Sequence, residues 1–405
     1  MNGPPPLITE PPPLLPDKSN RKSTRHVISV LLSLCLAVFL ADGVVSLVDD
    51  SFVLFFGVHS FSLLRGLVSV AGLFVGLGVY GLIGLTPMVP KRLFLPIPIF
   101  FLGSMLALFT LAIYWRHHIE QIAFLVSGGE VILGLWLLYW CRRGLKFSWP
   151  LVPEERLGPR GFSWRNLSAF VLVNVFVVVP LIAIYLFVST ARAVNHFSDG
   201  FMALHPRGFT VQVRKYVRDD GKVIELFPMI HIASAGFYQQ VSQTFPSNSV
   251  ILMEGVSDKG NLLTNKLSYK RTAKSLGLAE QKEMFHPSRG EIVRADVDVG
   301  QFSAETINFL NIVTLLHSKG ANAENISKLM QYSPSPQFEG QLFNDILTKR
   351  NQHLLEEIQS YLPQSDNIMV PWGVAHMPGL AKELQKWGFR LKETREYTVI
   401  RFGHR

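Results

Sequence analysis

Five apolar runs dominate the first half of this chain, near residues 27–48, 66–86, 93–115, 121–140 and 168–190. Each is about 20 residues long, enough as a helix to cover a hydrocarbon core of roughly 30 Å. A backbone inside lipid must satisfy its own hydrogen bonds, so these runs predict five transmembrane helices. The first is too long for the apolar stretch of a cleavable signal peptide, and four more follow it. Overall 48% of the residues are hydrophobic and 17% charged, which fits a membrane part joined to a water-exposed part.

The placement of basic residues predicts the orientation. Lys18, Arg21, Lys22 and Arg25 precede the first run, and Lys91 and Arg92 separate the second from the third. Arg142, Arg143, Lys146, Arg156, Arg160 and Arg165 lie between the fourth and fifth, whereas the alternate loops hold only Arg65 and Arg116 with Asp49 and Asp50. The N-terminus is therefore expected in the cytoplasm of a multi-pass protein of the cell membrane, and everything beyond residue 190 outside it. The net charge of +9 belongs largely to this topology signal. No nucleic-acid motif accompanies it, so the expected partner is the lipid bilayer and not a nucleic acid.

Residues 1–26, with Pro4-Pro5-Pro6 and Pro11-Pro12-Pro13, have no means of building a core and read as a disordered tail. Two acids fall within the apolar runs. Asp42 lies near the end of its run, within reach of the interface; Glu130, beside Gly128 and Gly129, is central and reads as a hydrogen-bonded helix contact, with ion or proton translocation as the alternative. The cysteines, Cys35 and Cys141, both belong to the apolar region, so residues 200–405 hold neither a disulfide nor a cysteine metal site.

Residues 200–405 alternate between strand-like and helix-like patterns, which predicts an α/β domain. Strands are expected at 208–214, 222–230, 249–253, 367–372 and 397–402; helices are expected near 234–244, 266–276, 302–318, 322–331, 340–362 and 379–387. Two strands lead into histidines. Val223–Ile230 is followed by His231, and Asn367–Trp372 leads through Gly373-Val374-Ala375 to His376. A third strand, Val250-Ile251-Leu252-Met253, ends in Glu254-Gly255. The carboxyl ends of strands are where open α/β sheets bind ligands. Two imidazoles and a carboxylate there would suit a divalent transition metal, so His231, Glu254 and His376 are the expected metal ligands.

The 340–362 helix carries an apolar stripe through Phe343, Leu347, Leu354, Ile358 and Tyr361, on which Asn351 falls, with Arg350 at its border. The pair reads either as a structural tie between the helix and the strand ends or as a clamp for developing negative charge. Val293–Val299 alternates with period two, so Arg294, Asp296 and Asp298 would share a face; this reads as a solvated sheet edge, with extra ligands or a substrate rim as the alternative.

Four patches in one order, Pro228-Met229-Ile230-His231, Val250–Gly255, Arg350-Asn351 and Gly373-Val374-Ala375-His376-Met377-Pro378-Gly379, resemble the TraB/GumN family, which includes the Tiki proteases and is related to the EreA/ChaN-like group. The family pattern has glycine where this chain has Pro228. The likeness covers residues 208–405 and excludes the apolar runs. It implies an EreA/ChaN-like α/β fold with His231, Glu254, Arg350, Asn351 and His376 at one pocket. The expectation is thus a membrane-anchored, extracytoplasmic, metal-dependent hydrolase of peptidase type, acting on a peptide or small-molecule substrate. The alternative is a non-catalytic ligand- or metal-binding sensory module coupled to the spans. The sequence carries no HExxH or Gly-x-Ser-x-Gly pattern.

Overall fold

The structure, a computed structural model, describes residues 18–403 apart from 59, 145, 146, 265–267, 321, 333 and 336. The expected tail thus falls outside the described residues as far as residue 17; from Lys18 the chain is already helical. The chain divides into two compact units, Met1–Tyr185 and Leu186–Arg405.

In the first unit and across its boundary, five helices among the described residues are long and apolar enough to cross a membrane: Ser23–Phe56, Ser62–Leu85, Lys91–Tyr114, Ile119–Arg142 and Trp164–Phe197. The first and fifth reach 34 residues, longer than their apolar runs alone predict. As a result Asp42 lies well inside the first helix, and it is 3% exposed. Leu32, Leu36 and Phe39 recur at helical spacing and pack with Val79 and Ile83 of the second span and Leu137 and Leu138 of the fourth. Gly134 is where the first and fourth spans close up: a Cβ there would meet Leu40 Cδ2 at 2.5 Å. At one end of the bundle Arg25 donates to the carbonyls of Glu154 and Gly158, and Ser29 Oγ donates to Val152 O at 2.6 Å. The N-terminal flank and the loop after the fourth span therefore meet at this end.

Among the described residues the second unit has nine strands: β1 (Met202–His205), β2 (Gly208–Val217), β3 (Val223–Met229), β4 (Ile232–Ala233), β5 (Val250–Met253), β6 (Ala279–Glu280), β7 (Glu291–Arg294), β8 (Asn367–Gly373) and β9 (Arg390–Arg401). Seven form one mixed sheet in the order β1-β2-β3-β8-β5-β7, with β9 also on β2; β4 and β6 form a small antiparallel pair. β3, β8, β5 and β7 are mutually parallel, and β1, β2 and β9 are antiparallel neighbours.

Both faces of the parallel part are covered, which is why its strands are nearly continuous apolar runs. Ile224, Leu226, Ile368, Val370, Trp372 and Leu252 face the helices Lys349–Tyr361 and Met377–Lys386. Phe227, Met229, Met369 and Ile251, one residue out of phase, face Phe237, Tyr238 and Val241 of the Ala235–Gln243 helix. Two prolines sit inside this sheet without breaking it. β2 stops pairing with β3 at Leu226, and β5 pairs with β8 only at Ile368 and Met369. Pro228 and Pro371 therefore lie where their strands have one neighbour, and the β3–β8 register runs through both. Beyond that point the Trp372 indole N–H donates to Leu252 O at 2.9 Å, using a carbonyl the ladder has left open.

Candidate functional site

Four parallel strands end at the same edge, and each delivers a polar residue within three positions of its last residue: His231 after β3, Glu254 after β5, Asp296 after β7 and His376 after β8. Arg350 reaches three of them from the Lys349–Tyr361 helix. A π-helical turn, Asn344–Thr348, immediately precedes that helix. The wider turn shifts the phase of the stripe, so Phe343 is 62% exposed, while Arg350, Leu354 and Ile358 form the buried face. The sequence pattern had placed Asn351 on the stripe and Arg350 at its border; the order is reversed, and Asn351 is half-buried.

The guanidinium has five N–H donors, and each has an acceptor in view. Nε donates to Asp296 Oδ1 at 3.0 Å; Nη2 donates to Asp296 Oδ2 at 2.6 Å and Glu254 Oε1 at 2.8 Å; Nη1 faces Ile346 O at 3.4 Å and His376 Nε2 at 3.2 Å. Burial by itself would lower the Arg350 pKa, but the Asp296 hydrogen bond and the charges of Glu254 and Asp296 raise it, so the group stays cationic. The aliphatic stem brings the guanidinium to 5.3 Å from the centre of the Trp372 ring.

Asp296 is the residue that pattern reading placed on a solvated edge. Its side chain is fully buried, because it accepts two bonds from Arg350 and two from backbone N–H groups, Val297 at 2.9 Å and Gly255 at 2.9 Å. β7 ends at Arg294, so the alternation beyond it belongs to a loop and not to a strand face. Gly255 holds φ at +149°, a conformation that favours glycine and turns its N–H onto Asp296. Asp298 accepts instead from Ser257 Oγ at 2.7 Å and from the Gly300 and Lys259 N–H groups, shaping a neighbouring turn.

His376 is 4% exposed. Nδ1–H donates to Asn351 Oδ1 at 2.6 Å, and Nε2, facing a guanidinium that has only protons to offer, must be the acceptor. Burial first, and the Arg350 charge second, push the imidazole pKa down to about 4, against the opposing pull of Glu254 and Asp296, so the ring is neutral near pH 7. The glycine that closes the motif has a steric reason: a Cβ on Gly379 would lie 2.8 Å from Asn351 Nδ2. Glu254 accepts from Gly373 N at 2.7 Å and from Arg350, keeps unspent lone pairs, and retains 11% side-chain exposure.

The structure therefore brings Glu254, Arg350, Asn351 and His376 together and adds Asp296. His231 makes different contacts. Its exposed ring stacks on Tyr269 at 5.1 Å and 10°, its carbonyl accepts from Gln281 N, and among the described residues it bonds to no member of the Arg350 cluster. Among the described residues no group of three or more His, Cys, Asp or Glu is arranged to hold a metal ion. The donor set explains this. Both nitrogens of His376 and one oxygen of Glu254 are spent inside the cluster, and the cation facing Nε2 is Arg350. A metal on the expected set His231, Glu254 and His376 does not fit this arrangement.

Comparison with family models, curated proteins and solved structures finds no match.

Proposed function

We propose that this chain is a multi-pass membrane protein, with its N-terminus in the cytoplasm, whose extracytoplasmic α/β domain is a TraB/GumN-type hydrolase of peptidase character. The observation that carries the reading is the Arg350 cluster, which gathers Glu254, Asp296 and His376 from three strand ends at the edge where such sheets bind ligands. Glu254 is the base: it is held beside a fixed cation, retains free lone pairs and is reachable from solvent. It takes a proton from water as the oxygen adds to the scissile carbonyl, then returns that proton to the leaving group. Arg350 positions Glu254, since all of its donors are engaged within the protein. Asn351, oriented through His376, has an Nδ2 amide without an acceptor among the described residues and is the donor for the developing oxyanion.

A second reading, a non-catalytic ligand-binding module coupled to the spans, draws on the same saturation: a guanidinium with no donor to spare and a neutral histidine are also what a rigid binding floor needs. The two are separated with the purified full chain, a peptide and ester library, and a chelator. The hydrolase reading expects turnover that survives the chelator and His231→Ala but falls by about 10²–10⁴-fold in Glu254→Gln. Ligand binding without turnover supports the module. Activity abolished by the chelator and by His231→Ala would restore the metal ligand set and overturn this assignment.

A further inference from the structure

The first unit holds a cavity of about 470 Å³ among the first four spans. One wall is polar: Asp42 and Ser46 of the first span, Arg65 and Ser69 of the second, and Ser127 and Glu130 of the fourth. Much of the remaining lining is apolar, including Leu73, Leu77, Phe101, Leu102 and Met105. The charges on the polar wall do not cancel. Arg65 pairs with Asp50, and more loosely with Asp49 at 3.5 Å, and those two acids also accept from Ser127 and Ser62. Asp42 is left with hydroxyl donors, Ser69 at 2.6 Å and Ser46 at 3.4 Å. Glu130 is 6% exposed, and its Oε1 has no hydrogen-bond partner among the described residues.

This position is built, not left over. A Cβ on Gly43 would lie 3.1 Å from Glu130 Cγ, and one on Gly72 would lie 3.1 Å from Asp42 Oδ2. Glycine on two spans therefore admits the two carboxyls. A buried carboxyl oxygen without a partner is costly in a low-dielectric setting, and an acid inside a span marks a functional position by default. Asp42 and Glu130 both line the cavity, and among the described residues neither is ion-paired to a basic side chain, so the chemistry of the wall calls for a cationic partner. The volume decides between classes. A bare ion or a water fills roughly 30 Å³, whereas pockets for organic ligands span about 300–1,000 Å³ and are mostly apolar with a few placed polar groups.

We propose that this cavity binds a lipophilic organic monocation, a protonated amine whose ammonium meets Asp42 and Glu130 and whose apolar body lies against the Phe101 and Leu73 wall. The test uses the full chain in lipid nanodiscs with naphthylethylamine as the probe, and the neutral alcohol and the anionic acid of the same ring system as controls. Saturable binding is read by fluorescence, with empty nanodiscs subtracted, and the thermal midpoint is read in parallel. The amine is expected to bind at least tenfold more tightly than either control and to raise the midpoint. Glu130→Gln and Asp42→Asn, which keep side-chain size, are each expected to weaken it at least tenfold. Ala123→Phe fills the cavity without altering a carboxyl and is expected to abolish binding, so a folding failure in one kind of variant leaves the other informative. The proposal is overturned if amine and alcohol bind alike, if amine binding persists in folded Glu130→Gln and Ala123→Phe, if no probe binds saturably, or if sodium chloride alone, with no amine present, produces the midpoint shift.

Discussion

Replacing Arg350 with Met is the sharpest perturbation of the site, because Met keeps an unbranched apolar stem beside Trp372 and deletes only the guanidinium. What remains is two carboxylates, Asp296 with a fully buried side chain and Glu254 with 11% exposure, and no cation between them. Breaking a buried pair by removing one partner costs about 3–5 kcal/mol. The structure places this site at the low end of that range. Asp296 keeps the Val297 and Gly255 N–H donors, and Glu254 keeps Gly373 N–H, so neither is stripped of all solvation. A loss of about 3 kcal/mol is expected. It should be read by native-state proteolysis of the full chain in urea, following cleavage within residues 200–403. Arg350→Met combined with Asp296→Asn is expected to recover part of the loss, since it removes one stranded charge. Arg350→Lys is expected to recover less than half, because an ammonium has three donors for five acceptors. A second readout is independent of stability. The Arg350 charge helps hold His376 near pH 4, while Glu254 and Asp296 pull the other way, so the imidazole of Arg350→Met should titrate closer to 6.5. Stability within about 0.5 kcal/mol of the parent, a difference typical of inert surface changes, together with an unmoved His376 titration, would refute the view that Arg350 organises this edge.

His376 makes stability depend on pH in a defined direction. Its folded pKa of about 4 lies below the ordinary 6.5, so the unfolded chain takes up the proton first; the stability present above pH 6.5 is lost as the pH falls from there to 4, by about 3 kcal/mol in all, and His376→Gln should flatten that slope. Gly379→Ala drives a methyl into Asn351 Nδ2 and should cost about 1–3 kcal/mol, with Asn351→Ala in the same chain relieving most of it in thermal unfolding. A cysteine placed at Asp219, an exposed loop position, should react with a membrane-impermeant maleimide in intact cells, and labelling only after permeabilisation would reverse the proposed orientation.

Much of the fold was legible because its signals are local. Continuous apolar runs marked β5 and β8 as strands, and the long apolar stretches marked the five spans. The misreadings have separate physical origins. Asp296 looked solvated because its partner lies 54 residues away, and charge pairing over that separation leaves no trace in periodicity. The helix stripe was misphased because a π turn follows from tertiary packing and not from propensity. β1, four residues long, was missed because its strand state depends on pairing with β2. His231 follows its strand as His376 does, yet local similarity did not bring it to the same contacts: the β4–β6 pair pins its backbone beside Tyr269 instead.

The cluster also explains how a site that reads as a metal centre in sequence can be something else in space. Two carboxylates and an imidazole at converging strand ends require a positive charge, and sequence alone leaves open what supplies it. Here the positive charge comes from the chain, on a helix phased by a π turn so that its guanidinium meets all three groups. A guanidinium differs from a metal in two respects that matter for chemistry. It has no vacant coordination position with which to ionise a water, and it stays charged at any pH the fold survives. Under the hydrolase reading proposed above, the acid–base work falls to the group with free lone pairs and access to solvent, Glu254, while Asp296, with all four of its hydrogen bonds made, holds the arginine in place. Glu254→Gln and Asp296→Asn should therefore separate: the first removes turnover with little loss of stability, and the second lowers stability first and turnover only through the displaced arginine.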